Sequence, residues 1–336
     1  MRSIGVDLHT NCFTVHYRPE RGKSRLLEYK LYDISKFVSS LEKTDRVAVE
    51  STGNTRYFVD LIRPSVKKVV VVDPNHFEVI RKSVKKTDAN DAESLSLFLS
   101  KDMLPEARMK DKEEAQISSL IQTRDQLVKL RSSLYNKIHG IFSSHGLKGK
   151  KESYGTEKGL ERVLAMDFDA IVKLELKVIV GQIRGLNSGI KELDDEIASK
   201  GKELYKGHDN LTSIKGIGDR AATILLSVIG DVKDFADEGR LAAYFGIVPR
   251  VSQSNEKQQY GSITKRGSKI GRTTLIQCTL VAKKYSPYLS TYFDRIKHSR
   301  GAGKAIVATA RKFLGIIYRT LKNGWVFKDF PNFEVA

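Results

Sequence analysis

Carboxylates recur at the ends of short apolar segments in the first hundred residues. Asp7 follows the segment IGV, and Glu50 ends the segment RVAVE. Asp88 and Asp91 open a helix-like segment, and their spacing of three places both on one helix face. Acids at neighbouring strand ends of an α/β sheet converge at one edge, and such oxygen ligands suit Mg²⁺. The four acids therefore predict a Mg²⁺ site that could act on a phosphate.

Each of these acids taken alone could instead be a structural cap. Asp73, which ends the segment KVVVVD before Pro74, is interpreted in that structural way. His9 lies two residues after Asp7 and is also predicted to be structural, since the seven histidines show no ligand spacing.

The charge of the chain predicts a polyanionic partner. Its 58 Lys and Arg outnumber 40 Asp and Glu, for a formal net charge of +18, and they are spread along all 336 residues. A globular protein of this charge most often binds nucleic acid, although a basic enzyme without such a partner is the alternative. Four cations just before Asp88 are candidates for phosphate contact or for a solvated helix face: Arg81, Lys82, Lys85 and Lys86.

The elements around the acids predict an α/β domain over residues 1–104. Alternating apolar residues in RSIGVDLHTNCFTVHYR indicate two strands joined by a turn, and RVAVES and KKVVVVDP are β-branched runs. Between these runs, TRYFVDLIRPS is a helix candidate, and a second helical pattern covers residues 86–100.

A helical middle domain is predicted over residues 105–205. Leu120, Leu127, Leu134 and Ile141 recur every seven residues, and a second seam steps by four and three from Ile179 to Ile197. An antiparallel helical hairpin or a dimerising coiled coil fits this pattern.

Residues 206–336 predict a third, mostly helical domain. The segment LTSIKGIGDRAATILLSVIG resembles a helix-hairpin-helix, in which backbone N–H groups bind a DNA phosphate, and Lys215 is a candidate contact there. An ordinary helix–turn–helix in a core is the alternative. The segment VSQSNEKQQYGS is predicted to be a polar loop, followed by a helix over GRTTLIQCTLVAKKY.

Two isolated cysteines and the lack of a long apolar run limit the class of protein. Cys12 and Cys278 have no CxxC partner, so neither a disulfide framework nor a zinc site is expected. The chain enters a strand-like segment without a signal peptide pattern and contains no membrane-length apolar run. These features predict a cytoplasmic protein with no membrane partner.

Segments at both ends of the chain resemble a known family. GVDLHT, VAVESTGN and KKTDANDA are similar to the RuvC-like (RNase H-like) domain of DEDD transposases of the insertion-sequence-one-ten family, which includes the Piv DNA invertase. LTSIKGIG, LAAYFGIVPR, QSN and GSITKRGS resemble the second transposase domain of that family. The resemblance implies that Asp7, Glu50, Asp88 and Asp91 are metal ligands.

The resemblance also implies a nucleophilic serine in the C-terminal domain. Ser254 stands five residues after Pro249, and Asn255 follows it where the family has glycine. Ser252 is the neighbouring alternative. A serine hydroxyl needs activation, which a metal held by the acidic domain could supply if the two domains meet, within one chain or across subunits.

Basic residues near this serine are candidate phosphate contacts, with plain surface charge as the alternative. Gly271, before Arg272, departs from the leucine that is common in the family. The candidates are Lys265, Arg266, Lys269 and Arg272.

The function implied is DNA transposition through a covalent phosphoserine without ATP. The family resemblance implies a structured bridge RNA that pairs with donor and target DNA, a dimer or tetramer assembled through the coiled coil, and association with a prokaryotic nucleoid. A RuvC-like junction nuclease that uses water and a metal, with Ser254 idle, is one alternative. A non-catalytic nucleic-acid-binding protein is the other.

Overall fold

The computed structural model describes residues 1–72, 77, 87–149, 151–254 and 257–328. Contacts between residues divide the chain into two compact units, Met1–Lys110 and Asp111–Ala336. The first unit is a mixed α/β structure and the second is mostly helical, as predicted. The further division near residue 205 stays a prediction.

A mixed sheet forms the centre of the first unit. Its strands are β1 (Arg2–Leu8), β2 (Cys12–Pro19), β3 (Arg25–Lys30), β4 (Arg46–Glu50) and β5 (Lys68–Val72). Within the described residues the order is β3-β2-β1-β4-β5. β1 to β3 pair antiparallel, whereas β4 pairs parallel with both β1 and β5. The strands therefore confirm the predicted mixed sheet.

An aromatic core covers one face of this sheet. Helices α1 (Ile34–Ser39) and α2 (Thr55–Ile62) bring Phe37 and Phe58 onto Phe13 of β2. The ring of Phe13 lies 5.3 Å from Phe37 and 5.1 Å from Phe58, both edge-to-face. Such pairs add about 0.5–1.5 kcal/mol beyond the burial of their area, so this face anchors the sheet.

Helix α3 (Asp88–Ser100) covers the opposite face and approaches β1 closely at Gly5. A Cβ atom on Gly5 would lie 2.1 Å from the carbonyl oxygen of Ala92 and 2.5 Å from the amide nitrogen of Ser96. Beside this contact, Nδ1 of His16 lies 2.6 Å from Oγ of Ser96. Only glycine allows this distance between helix and strand backbones.

The start of α3 follows from its local sequence. The Thr87 hydroxyl caps the helix by accepting a hydrogen bond from the Asn90 amide at 3.3 Å. Asp88 and Asp91 occupy the first turn, where the helix dipole favours negative charge. The cap therefore sets the position of both acids along the helix.

Two long helices open the second unit. They are α4 (Lys112–Ser144) and α6 (Ala170–Leu204), with the short helix α5 (Glu157–Leu164) between them. Arg124 of α4 pairs with Asp194 of α6 at 2.8 Å, and Lys137 pairs with Glu175 at 2.9 Å. Because later residues of α4 meet earlier residues of α6, the helices run antiparallel within one chain. This is one of the two predicted arrangements.

The apolar seam of these helices joins two separate cores. Ile138 and Ile183 pack with residues of α5. Ile117, Ile121 and Ile197 instead pack with the C-terminal helices. One end of the helical pair is therefore part of the C-terminal core.

The remaining helices surround that C-terminal core. They are α7 (His208–Thr212), α8 (Asp219–Ile229), α9 (Glu238–Tyr244), α10 (Lys269–Ala282), α11 (Pro287–Arg300) and α12 (Ala302–Asn323). Leu225, Phe245 and Phe313 are fully buried among them. In the part of the chain that the structure describes, no helix has the length and apolar character needed to span a bilayer.

The predicted polar loop after α9 is wrong, because this segment forms an antiparallel hairpin. Strand β6 (Pro249–Ser254) pairs with β7 (Lys257–Ile263), and Ser254 stands opposite Lys257. Strands are recognised in sequence by apolar alternation, whereas this segment is polar and Val251 remains 53% exposed. The hairpin is defined by its backbone pairing.

We expect Gly5→Ala to lower the free energy of unfolding by about 1–3 kcal/mol, because an added methyl group forces α3 away from β1. Chemical denaturation of the full chain measures the change. Gly53→Ala is the matched control in the same unit, since nothing lies within 4 Å of its added Cβ. Equal stability of the two variants would contradict the tight contact.

Candidate metal centre

Two of the predicted acids end neighbouring parallel strands. Val6 of β1 pairs with Val49 of β4, so Asp7 and Glu50 follow at the same level of the sheet. Val6 and Val49 face the aromatic core. Because side chains alternate along a strand, Asp7 and Glu50 lie on the face covered by α3. Asp7 is 7% exposed, and Glu50 is half-buried.

The other two acids approach from the first turn of α3. Asp91 is buried, whereas the side chain of Asp88 is 58% exposed. Both carboxylates lie near enough to Asp7 for their charge to act on its carboxyl group. Strand β1 and helix α3 thus bring three of the predicted acids together.

The Asp7 carboxyl group lies in an unfavourable environment for a negative charge. Burial is the main cause that raises its pKa, and the charges of Asp88 and Asp91 raise it further. His9 opposes both effects through its charge and its hydrogen bond. The ionised form of Asp7 therefore destabilises the metal-free fold.

His9, which the sequence analysis assigned a structural role, lies directly between two of the acids. Its Nε2 atom lies 3.3 Å from Oδ2 of Asp7 and 3.2 Å from Oδ2 of Asp88. The sequence signal was its position just beyond the strand end that carries Asp7. This placement is compatible both with a structural ion pair and with a ligand position.

The donor atoms fit a divalent cation. Among the described residues, ligand atoms of Asp7, His9 and Asp88 all lie within 4.8 Å of one another. Glu50 and Asp91 lie outside that triplet but belong to the same end of the sheet and helix. A cation there would offset the repulsion between the carboxylates, which is the chemistry expected of a metal centre.

Several predicted residues fall outside the part of the chain that the structure describes. They are the cations Arg81, Lys82, Lys85 and Lys86 and the acid Asp73. Phosphate contact by these cations stays a prediction.

The predicted serine lies in the second unit. Ser254 is the last residue of β6, next to the hairpin turn, and Ser252 stands opposite Gln259 in the same ladder. The side chains of both serines lie outside the described parts of the chain. The backbone alone therefore places Ser254 at the tip of the hairpin.

Arg272 holds the base of this hairpin. Its guanidinium donates hydrogen bonds to the carbonyl oxygens of Gly267 at 3.0 Å, Phe245 at 3.2 Å and Arg266 at 3.4 Å. Burial lowers the pKa of Arg272, yet an arginine stays charged. Gly246 and Gly267, with φ of +67° and +92°, lie in the segments that precede β6 and follow β7, and they allow these two segments to approach each other. Arg272 thus has a structural function, and its contact with phosphate stays a prediction.

The other predicted cations of this unit lie at the surface. Lys215 is exposed on the turn between α7 and α8, with Nζ 5.8 Å from the centre of the Tyr285 ring. Gly216, with φ of +108°, allows this turn to lie against Ala282. Three more exposed cations flank the base of the hairpin: Lys265, Arg266 and Lys269. Contact of these residues with a polyanion stays a prediction.

Two sequence-family models match the chain. A DEDD transposase model of the IS110 type matches residues 5–146, which include all four predicted acids. A model of the transposase IS116/IS110/IS902 family matches residues 208–294, which include Ser254 and Arg272. The two matches cover most of both units.

Individual relatives align over nearly the whole chain. The transposase for insertion sequence element IS1111A of Coxiella burnetii is 26% identical, over 96% of this chain and 90% of the relative. A probable family 20 transposase of Pseudomonas aeruginosa is 27% identical, over 95% and 96%. A pilin gene-inverting protein of Moraxella lacunata is 24% identical, over 96% and 97%.

We expect Asp7→Asn to raise the melting temperature of the metal-free protein at neutral pH. The pKa of Asp7 is raised in the fold, so its contribution to stability falls as pH rises from the ordinary Asp range through the folded-state value. The Asn side chain of the variant cannot ionise, so the variant does not lose stability in this way as the pH rises. Thermal denaturation should also show that Mg²⁺ or Mn²⁺ stabilises the wild type but not the variant.

The exposed Asp60 supplies the control for this experiment. Asp60→Asn should change neither the metal-free melting temperature nor the stabilisation by metal. A wild-type melting temperature that does not respond to either cation would contradict the metal centre.

We expect Arg272→Met to lower the free energy of unfolding by about 1–3 kcal/mol, because three carbonyl groups lose their charged donor. Urea denaturation measures the loss. Lys269→Met, an exposed cation on the first turn of the same helix, should have little effect. If both variants were as stable as wild type, Arg272 would have no structural function.

Proposed function

Because the chain belongs to the IS116/IS110/IS902 family of transposases, we propose that it recombines DNA with two groups of its own residues. Asp7, Glu50, Asp88 and Asp91 hold Mg²⁺, and Ser254 attacks the DNA. The observation that carries this proposal is the collection of acids around the buried Asp7 carboxyl group.

The acids of the first unit would hold a divalent cation through their carboxylate oxygens. A divalent cation supplies charge stabilisation to a scissile phosphate and lowers the pKa of an attacking hydroxyl. The residues themselves set its position: β1 and β4 orient Asp7 and Glu50, and the Thr87 cap orients Asp88 and Asp91.

Ser254 performs the strand exchange. Its hydroxyl oxygen forms a bond to phosphorus, and the bond from phosphorus to a deoxyribose oxygen breaks. The serine loses its proton and the leaving oxygen gains one, so the number of protons is unchanged. The reverse attack by a DNA hydroxyl restores the diester, so no ATP is consumed. The hairpin position of Ser254 at the end of β6 supports this assignment.

The partners follow from charge and family membership. The net charge of +18 and the exposed Lys215, Lys265 and Lys269 support binding to donor and target DNA. We propose that a structured bridge RNA guides target choice. We also propose that the helix pair α7–α8 acts as a helix-hairpin-helix. Finally, we propose that the protein forms a dimer or tetramer in the prokaryotic cytoplasm, at the nucleoid.

The fold of the first unit supports the proposal that its acids act in DNA recombination. Its sheet, with β1 next to β4 and α3 on one face, supports a RuvC-like (RNase H-like) domain. Pilin gene-inverting relatives support site-specific recombination as the reaction class.

We expect Ser254→Ala to reduce strand cleavage by roughly 10³-fold or more, the scale at which enzymes lose activity without their nucleophile. The assay uses the full chain with DNA carrying the element ends and the RNA transcribed from its flank. Mass spectrometry should find DNA joined to the peptide containing Ser254 in wild type. Ser252→Ala is the matched control and should retain the adduct.

Three outcomes decide between the alternatives. An adduct on Ser252 would move the nucleophile by two residues. Full cleavage by Ser254→Ala without any adduct would replace the serine with water, as in a junction nuclease. Normal cleavage by both Asp7→Ala and Asp88→Ala would exclude the acidic site from the reaction.

A further inference from the structure

His9 is held between two of the acids by its own backbone. Its amide donates a hydrogen bond to the carbonyl oxygen of Cys12 at 2.9 Å, within the turn from β1 to β2. Its carbonyl oxygen accepts one from Nδ2 of Asn54 at 2.8 Å. Asn54 precedes α2, so residues from a strand turn and a helix start fix the position of His9.

The imidazole directs one nitrogen at both carboxylates. Nε2 lies 3.3 Å from Asp7 and 3.2 Å from Asp88, and the side chain is 46% exposed. A buried carboxylate, an exposed carboxylate and a nitrogen thus face one small volume, with all three ligand atoms within 4.8 Å of one another. A cation that contacts both carboxylates would meet Nε2 as well.

We propose that His9 is a direct metal ligand, which binds through Nε2 the same cation that Asp7 and Asp88 hold. The inference rests on the proposed metal site and adds a nitrogen donor to its four acids. The competing role of His9 is structural. In that role its side chain forms an ion pair with Asp7 and Asp88 in the metal-free protein and moves away when the metal binds.

A nitrogen ligand changes which cations the site prefers. Mg²⁺ takes oxygen ligands almost exclusively and keeps several waters. Transition dications such as Mn²⁺ and Co²⁺ accept imidazole, and affinity for a mixed nitrogen and oxygen site rises along the first-row series. With His9 as ligand, the site should bind Mn²⁺ more tightly than Mg²⁺.

The test uses the full metal-free chain and Mn²⁺ alone, without DNA or RNA. Electron spin echo modulation of bound Mn²⁺ should show coupling to a ¹⁴N nucleus in wild type and none in His9→Gln. The variant should bind Mn²⁺ at least about ten-fold more weakly, since even partners outside the ligand shell cost that much when lost. Its affinity for Mg²⁺ should change far less.

His298→Gln, which changes an exposed histidine in the last turn of α11, is the matched control and should keep both the ¹⁴N coupling and the affinity. Asp7→Asn distinguishes a failure of the proposed His9 ligand from a failure of the proposed metal site. If Asp7→Asn abolishes Mn²⁺ binding while His9→Gln keeps wild-type affinity and coupling, His9 is only an ion-pair partner. If Asp7→Asn leaves Mn²⁺ binding unchanged, the metal site itself is wrong.

Discussion

The close approach of α3 to β1 is the contact on which the first unit depends. Gly5 allows it, because any side chain there would overlap the backbone of Ala92 and Ser96. Asp91 directly precedes Ala92, and Asp88 lies about one turn before it, in the first turn of α3. The distance between helix and strand therefore sets the distance between these acids and Asp7, and the geometry of the acidic site follows from one missing side chain.

The rest of the unit stabilises an arrangement that is electrostatically unfavourable. Burial and two neighbouring carboxylates raise the pKa of Asp7, so the metal-free site opposes folding at neutral pH. The aromatic core around Phe13 lies on the opposite face of the same sheet and supplies stability without disturbing the acids. A perturbed carboxyl group supported by an apolar core is typical of a functional site.

In the second unit, backbone contacts define the hairpin that carries the predicted serine. Backbone pairing between β6 and β7 and the hydrogen bonds of Arg272 set its position relative to α10. A hairpin held at its base by Arg272 could present a serine at its tip to a large substrate. Arg272 thus links the helical core to the segment that carries Ser254.

The sequence by itself determined the mixed sheet, the long helices and the family, and it predicted the four acids as a metal site. β-branched runs, heptad seams and the residues near Asp7, Glu50 and Asp88 are local patterns, and local patterns can be recognised along a chain. Only the tertiary structure decided that His9 lies between Asp7 and Asp88, and that Arg272 binds three carbonyl groups. It also decided that a polar segment pairs as a hairpin. Most of these contacts join residues that are distant in sequence, and the polar strands carry no apolar alternation, so no spacing rule reports them before the chain folds.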